Sequence, residues 1–173
     1  AVVINFELRL GSLERLLLAP ISLPSVLLGK VLGGATFGLL MTTVVTTGSV
    51  LILGLHPHML YLILTIIPSL LVFSSLGALL CVLVTEVFEA QTLLNLPRFI
   101  MVFLCGVVYP VSAMPVVLQY FAYAMPLTYT IGGLQYSFSI TSNKMVFIDT
   151  LVLAGFFLLF IFPAMKLLAK KFE

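Results

Sequence analysis

Charged side chains are scarce in this sequence. Only 8% of its 173 residues are Asp, Glu, Lys or Arg, whereas 62% are hydrophobic, and the mean hydropathy is +1.28. A soluble domain carries about a quarter charged residues, which it needs to cover a water-facing surface. The composition therefore excludes an ordinary soluble domain. It predicts an all-α membrane protein with the lipid bilayer as its main solvent. The net charge of +2 argues neither for nor against an acidic partner, and no nucleic-acid partner is expected for such a membrane protein.

Residues that enzymes use for chemistry are also few. Cys81 and Cys105 lie inside apolar runs, which favours two separate thiols over a disulfide or a metal site. His56 and His58 flank a proline in a short turn and lack a third ligand, so a plain turn is favoured over a metal site. The sequence contains no Walker A loop and no Ser/His/Asp or HExxH pattern. We therefore expect no catalytic site, no metal and no cofactor bound by this chain.

Long apolar runs predict membrane-spanning helices, each of which needs roughly 20 such residues. The predicted spans are residues 31–55, 59–85, 99–111 and 147–168. The third is short and follows a polar segment, residues 86–98, which is predicted to leave the membrane. Residues 1–10 are interpreted as the stub of a preceding membrane helix, with a disordered terminus as the alternative.

The cationic residues predict an orientation. If residues 11–29 are cytoplasmic, alternation of the spans leaves only Lys144 outside among the eight Lys and Arg residues. The other seven lie inside or at the inner boundary: Arg9, Arg15, Lys30, Arg98, Lys166, Lys170 and Lys171. We therefore expect a multi-pass protein of the cell membrane with a cytoplasmic C-terminus. No charged side chain is expected at mid-membrane depth.

The segment 11–29 is charged and partly helical, and it contains Pro20 and Pro24. A charged elbow between membrane segments suits a short cytoplasmic helix that a soluble partner holds. Glu14 and Arg15 are candidates for that contact, the alternative being a solvated helix face with weak ion pairing. Lys30 either joins the contact or extends to the inner membrane interface.

Residues 109–146 do not have the composition of an ordinary loop. They contain five of the six tyrosines together with Pro110, Pro115 and Pro126. Tyrosine favours the headgroup level of a bilayer, and proline is tolerated in the first turn of a helix. Two short helices, residues 115–125 and 127–139, are predicted as a re-entrant hairpin on the outer side. A helix lying flat on the outer surface is the alternative.

Small residues line the first predicted span. Two GxxxG spacings, 29/33 and 34/38, predict close helix packing. A mildly polar stripe of the same helix either lines a transport path or bonds to the helix's own carbonyls. The stripe consists of Thr42, Thr43, Thr46, Thr47 and Ser49.

Two segments carry a family resemblance. GSLERLLLAPISLPSVLLGK resembles the coupling-helix region of ABC-2 type exporter permeases, and YPVSAMP followed by PLTY is similar to the outer motif of that family. The first set of matching positions is Gly11, Ser12, Leu13, Glu14, Arg15, Leu16, Pro20, Ser22, Leu28, Gly29 and Lys30. The second set is Gly106, Tyr109, Pro110, Met114, Pro115, Pro126, Leu127, Thr128 and Tyr129. Cys105, Met125 and Gln135 depart from the usual residues of the family.

The resemblance implies a permease that pairs with a second permease copy and with ABC ATPase subunits, which use ATP and Mg. It implies that the elbow residues and Lys30 contact the ATPase, and that the outer motif forms a re-entrant gate. Such permeases have six spans, so the chain is expected to match the last four, with the N-terminal part missing. A secondary transporter or channel and a non-transporting membrane scaffold are the alternatives.

Overall fold

All regular structure that the computed structural model describes is helical, which confirms the predicted all-α fold. The structure describes residues 23–54, 56–84, 87–138 and 145–172. The helices are α1 (Leu23–Leu53), α2 (Met59–Leu83), α3 (Val87–Leu104), a short 3-10 helix (Val111–Ala113), α4 (Val116–Tyr123), α5 (Pro126–Phe138) and α6 (Met145–Phe172).

Three of the described helices are long and apolar enough to cross a membrane. They contain the stretches Ser25–Leu53 in α1, Met59–Leu83 in α2 and Met145–Ala169 in α6. The apolar part of α3, Gln91–Leu104, is shorter than the roughly 20 residues that a full crossing needs. By length, the described ranges thus supply three of the four predicted spans.

Helix α1 begins earlier than the span predicted at residues 31–55. It starts at Leu23, so Lys30 belongs to this helix and not to a separate elbow. Pro24 is the second residue of α1, where a missing backbone N–H costs nothing. This proline therefore lies at the start of a helix and does not interrupt one. The residue after the helix is Gly54, whose φ of 62° is left-handed and ends the helix. The Gly54 N–H donates to the Val50 carbonyl at 2.9 Å.

Helix α2 is the centre of the bundle, because α1, α5 and α6 all pack against it. Its buried residues include many small and hydroxyl-bearing ones, which let helix backbones approach closely in lipid. They are Leu62, Thr65, Ser69, Val72, Ser75, Gly77, Ala78, Cys81 and Val82. On the α1 side, the Ser74 hydroxyl donates to the Val31 carbonyl at 2.7 Å. A Cβ on Gly34 would stand 2.6 Å from the same hydroxyl, whereas Gly29 and Gly33 face open space.

Contacts at both ends of α2 set the helix directions. The Thr150 hydroxyl, near the start of α6, lies 3.3 Å from the Leu64 carbonyl near the start of α2. Residues of the second half of α6 pack near the end of α2. Helix α6 is therefore parallel to α2, whereas the start of α1 meets the end of α2. The core of the bundle lies at this shared end and contains Leu27, Val31, Ala78, Cys81, Val82, Ile161, Ala164 and Leu168.

The helix at the third predicted span has other bounds than that span. Helix α3 begins at Val87 instead of Phe99 and ends at Leu104 instead of Val111. The predicted division at Arg98 therefore falls inside one continuous helix. Glu89, Gln91 and Asn95 are polar, but glutamate and glutamine are good helix formers, so polarity alone does not end a helix here.

Candidate functional site

The predicted elbow lies almost entirely outside the described residues. This applies to Gly11, Ser12, Leu13, Glu14, Arg15, Leu16 and Pro20. Of the predicted ATPase-contacting residues, only Lys30 is described. It is half-buried on α1, one turn after the core residue Leu27. Contact of this region with an ATPase remains a prediction.

The predicted gate residues begin in the turn that follows α3. Gly106 has a φ of 92°, which a residue with a side chain rarely adopts, and it redirects the chain after the buried Cys105. Tyr109 and Pro110 are exposed beyond this turn. Met114 is buried, and its carbonyl accepts a hydrogen bond of 2.9 Å from the Gln119 side chain of α4. This part of the predicted gate is therefore fixed to α4 by polar contacts.

The PLTY motif joins α4 to α5. Pro126 is buried and is the first residue of α5, where its fixed φ suits a helix start. The last carbonyls of a helix have no intrahelical donor. Here the Thr128 hydroxyl donates to the Ala122 carbonyl, and the Tyr129 hydroxyl donates to the Tyr123 carbonyl at 2.9 Å. Thr128 and Tyr129 thus cap α4 and close the α4–α5 hairpin.

Helix α5 runs antiparallel to α2 from within the bundle towards the start of α2. At one level, Ser69 and Thr130 share a hydrogen bond of 3.0 Å between hydroxyls. Further along, the Ser137 carbonyl accepts a hydrogen bond of 2.8 Å from the His58 N–H. The start of α5 therefore lies beside the middle of α2. At that level of a membrane, non-helical backbone is tolerated only when protein buries it. The assignment of this hairpin to the outer membrane side stays a prediction.

Asp149 and Phe156 of α6 approach a face of α5 next to the one that packs on α2. The Asp149 Oδ2 atom lies 3.0 Å from the position that a Cβ on Gly132 would take. The Tyr129 ring lies 6.1 Å from the Phe156 ring, centroid to centroid. Asp149 is the fifth residue of α6 and faces α5. Because Asp149 and Gly132 lie on different helices, the sequence alone did not reveal this contact.

Two cavities open between α1 and α2, on either side of Thr42 and Thr46. Their volumes are about 370 and 440 Å³, and the larger one reaches Ser69 and Thr130. The hydroxyls of Thr43 and Ser49 bond to carbonyls of α1 itself, at 2.8 and 2.9 Å. The four threonines of the predicted polar stripe, Thr43 included, nevertheless line the smaller cavity, so bonding to the helix's own backbone and lining the cavity occur together.

A comparison with protein families identifies the chain. The family described as ABC-2 type transporter matches residues 1–139. The chain belongs to the ABC-2 type transporter family. It is thus a membrane permease component of an ABC transporter, as the sequence resemblance predicted. Neither a curated protein nor a solved structure matches it.

For this ABC-2 permease, we expect Thr128→Val to destabilise the α4–α5 hairpin. The substitution keeps the side-chain volume but removes one of the donors to the Ala122 carbonyl, which still accepts from the Met125 N–H, so we expect a loss of about 1 kcal/mol. The readout is the midpoint of thermal unfolding in detergent. Thr43→Val is the matched control for stability, because the Thr43 hydroxyl bonds to the Leu39 carbonyl of its own helix and joins no second helix. Equal midpoints for the two variants would refute the capping role.

Proposed function

We propose that this ABC-2 permease is the membrane-spanning part of an ATP-driven exporter. It moves a hydrophobic or amphipathic compound, such as a drug, a lipid or a lipid-linked glycan, out of the cytoplasm. The observation that carries the proposal is the family match over residues 1–139, because that range includes both the elbow and the α4–α5 hairpin. The chain has no Walker A loop. ATP and Mg are therefore used by a partner ATPase subunit or another domain.

In this proposal, the elbow transmits the ATPase movement to the membrane helices. The contacting residues are Gly11, Ser12, Leu13, Glu14, Arg15, Leu16, Pro20 and Lys30. The helix that contains Lys30 continues without a break from Leu23 to Leu53. Because a continuous helix transmits displacement along its length, a push at the start of α1 moves the walls of the cavities between α1 and α2. A second permease copy completes the transport path.

The α4–α5 hairpin is the proposed outer gate. The gate residues are Tyr109, Pro110, Met114, Pro115, Pro126, Leu127, Thr128 and Tyr129. Helix α5 packs between α2 and α6, and among its polar contacts with α2 are the Ser69–Thr130 bond and the bond from the His58 N–H to the Ser137 carbonyl. A short helix between two longer ones can shift as a unit, because its own cap contacts move with it. This arrangement supports gating by displacement of the hairpin.

The cavities between α1 and α2 support an amphipathic cargo. Volumes of about 370 and 440 Å³ lie within the range of small-molecule sites. Their walls are mostly apolar, with hydroxyl-bearing residues as polar points: Thr42, Thr43, Thr46 and Thr47 in the smaller cavity, and Thr42, Thr46, Ser69 and Thr130 in the larger one. Such walls suit a compound with a large apolar part and a few hydrogen-bonding groups.

The test is ATP-dependent flux. The permease is co-expressed with candidate ABC ATPase subunits of the same cell, purified as a complex and reconstituted into liposomes with a fluorescent phospholipid. We expect a stable complex and ATP-dependent lipid movement that stops when the catalytic glutamate of the ATPase is replaced. Movement driven by a proton gradient without ATP would support a secondary transporter instead. A stable complex without movement of any labelled amphiphile would support a scaffold.

A further inference from the structure

Arg98 lies in an unexpected place. The charge pattern of the sequence places it at the inner membrane boundary, but the structure places it, as an exposed residue, near the middle of the apolar stretch Gln91–Leu104 of α3. The neighbouring residues Pro97, Met101 and Val102 form the wall of a cavity together with it. Ionisable residues within membrane helices are costly, and they therefore mark functional sites by default.

The cavity beside Arg98 is apolar apart from the guanidinium. It has a volume of about 290 Å³ and lies between α2, α3 and the start of α5. Its lining consists of Phe73, Leu76, Leu94, Pro97, Arg98, Met101, Val102 and Leu127. On α2, the wall residue nearest the helix end is Leu76, which lies seven residues before Leu83 and thus roughly 10 Å from that end. The cavity is therefore set back from the predicted cytoplasmic end of α2.

Arg98 forms no ion pair with a carboxylate among the residues that the structure describes. Two carboxylates are present in these ranges outside the cavity. Glu89 is on the same helix, nine residues earlier and so roughly 13 Å away along the axis. Asp149 faces Gly132 on α5. A guanidinium beside apolar walls is stable when an anion or water satisfies its donors, because an isolated charge in an apolar medium is strongly disfavoured.

We propose that Arg98 binds the phosphate or carboxylate headgroup of an anionic amphiphile whose apolar chain lies along the cavity wall. The planar fork of arginine matches both groups with two parallel hydrogen bonds. The aliphatic and aromatic walls favour an attached chain over a free hydrated ion. At about 290 Å³, the cavity is near the lower limit of small-molecule sites, so it takes the headgroup end of a single-chain amphiphile. As a statement about cargo, this rests on the proposed export function.

The test is selective binding without ATP. The permease–ATPase complex is purified in an uncharged detergent and titrated with dodecyl phosphate, with dodecanol of the same chain length and with inorganic phosphate. We expect dodecyl phosphate to bind the unmodified protein roughly ten-fold more tightly than dodecanol, the size of one charge-assisted contact. Arg98→Gln should remove this preference, and Arg98→Lys should retain part of it.

Lys166→Gln is the matched control. It removes one exposed cation from α6, which is also predicted to lie near the inner boundary. An equal loss of preference in this variant would show that general electrostatics, and not Arg98, attracts the anion. Unchanged preference in Arg98→Gln would also overturn the proposal. Inorganic phosphate that binds as tightly as dodecyl phosphate would overturn the role of the apolar chain.

A second variant covers the case in which Arg98→Gln does not fold. Met101→Trp keeps the guanidinium but fills part of the cavity, so it should weaken dodecyl phosphate binding and leave the weak phosphate binding unchanged. Unchanged dodecyl phosphate binding in this variant would overturn the site. If flux of the fluorescent phospholipid persists without a dodecyl phosphate preference, only this inference fails. Selective binding without ATP-dependent movement of labelled dodecyl phosphate would identify a resident lipid and overturn the cargo assignment.

Discussion

Gly133→Val is expected to separate α5 from α2 and to unfold the hairpin region at a lower temperature than any other substitution considered above. A Cβ at position 133 would stand 2.6 Å from both the hydroxyl and the methyl group of Thr65, and 3.2 Å from its Cβ atom. Thr65 is only 1% exposed, and its hydroxyl bond of 2.9 Å to the Tyr61 carbonyl holds the side chain in place. Overpacking of this kind costs about 1–3 kcal/mol for alanine, and the larger valine should cost more.

The midpoint of thermal unfolding in detergent measures this effect, with Gly155→Ala as the control. Gly155 also lies within a helix, but a Cβ there would meet no atom within 4 Å. Because glycine in a helix is less stable than alanine by roughly 0.5–1 kcal/mol, the control should be neutral or stabilising, whereas Gly133→Ala should destabilise. Adding Thr65→Ala should restore part of the loss. Similar midpoints for the Gly133 and Gly155 variants would show that α5 does not pack tightly on α2.

The sequence predicted those parts of the fold that depend on local physical requirements. An uncharged run of more than twenty residues must cross a bilayer as a helix, so α2 was predicted within a few residues of its ends. Prolines at helix starts likewise located the hairpin: Pro115 precedes α4 and Pro126 begins α5. Helix α3 was predicted with other bounds because polar residues in its first half have the composition of a loop, although glutamate and glutamine are good helix formers.

The contacts of the candidate site depend on residues far apart in the chain. The Ser69–Thr130 bond, the contact of Gly133 with Thr65 and that of Gly132 with Asp149 each join two helices. A single sequence contains no pattern that pairs such residues. The PLTY motif indicated that Thr128 and Tyr129 matter, but their role as caps of α4 required the geometry of the hairpin. Arg98 was assigned to the membrane boundary from the alternation of the predicted spans. Its place within an apolar stretch, where a cation is costly, is the reason for proposing a ligand beside it.

Replacing Glu14 and Arg15 together by alanine is expected to uncouple transport from ATP hydrolysis while the permease still inserts into the membrane. Both charges lie on the predicted cytoplasmic elbow, where they have no role in crossing the lipid. Orientation follows the distribution of Lys and Arg, and the loss of Arg15 leaves six of the seven cations predicted inside, so the orientation should be kept. Coupling free energies between sites are about 1–3 kcal/mol, so flux per ATP hydrolysed should fall roughly ten-fold.

The measurement compares phospholipid flux with ATP hydrolysis in the same reconstituted complex. Glu89→Ala with Lys166→Ala is the matched control, because it also removes one anion and one cation, both from exposed positions on the predicted cytoplasmic side. We expect the control to keep its ratio of flux to hydrolysis. A normal ratio in the Glu14/Arg15 variant would rule out these charges as the coupling contact. An equal fall in both variants would show that charge on this side of the membrane matters in general, because a specific contact with the ATPase predicts an effect at the elbow alone.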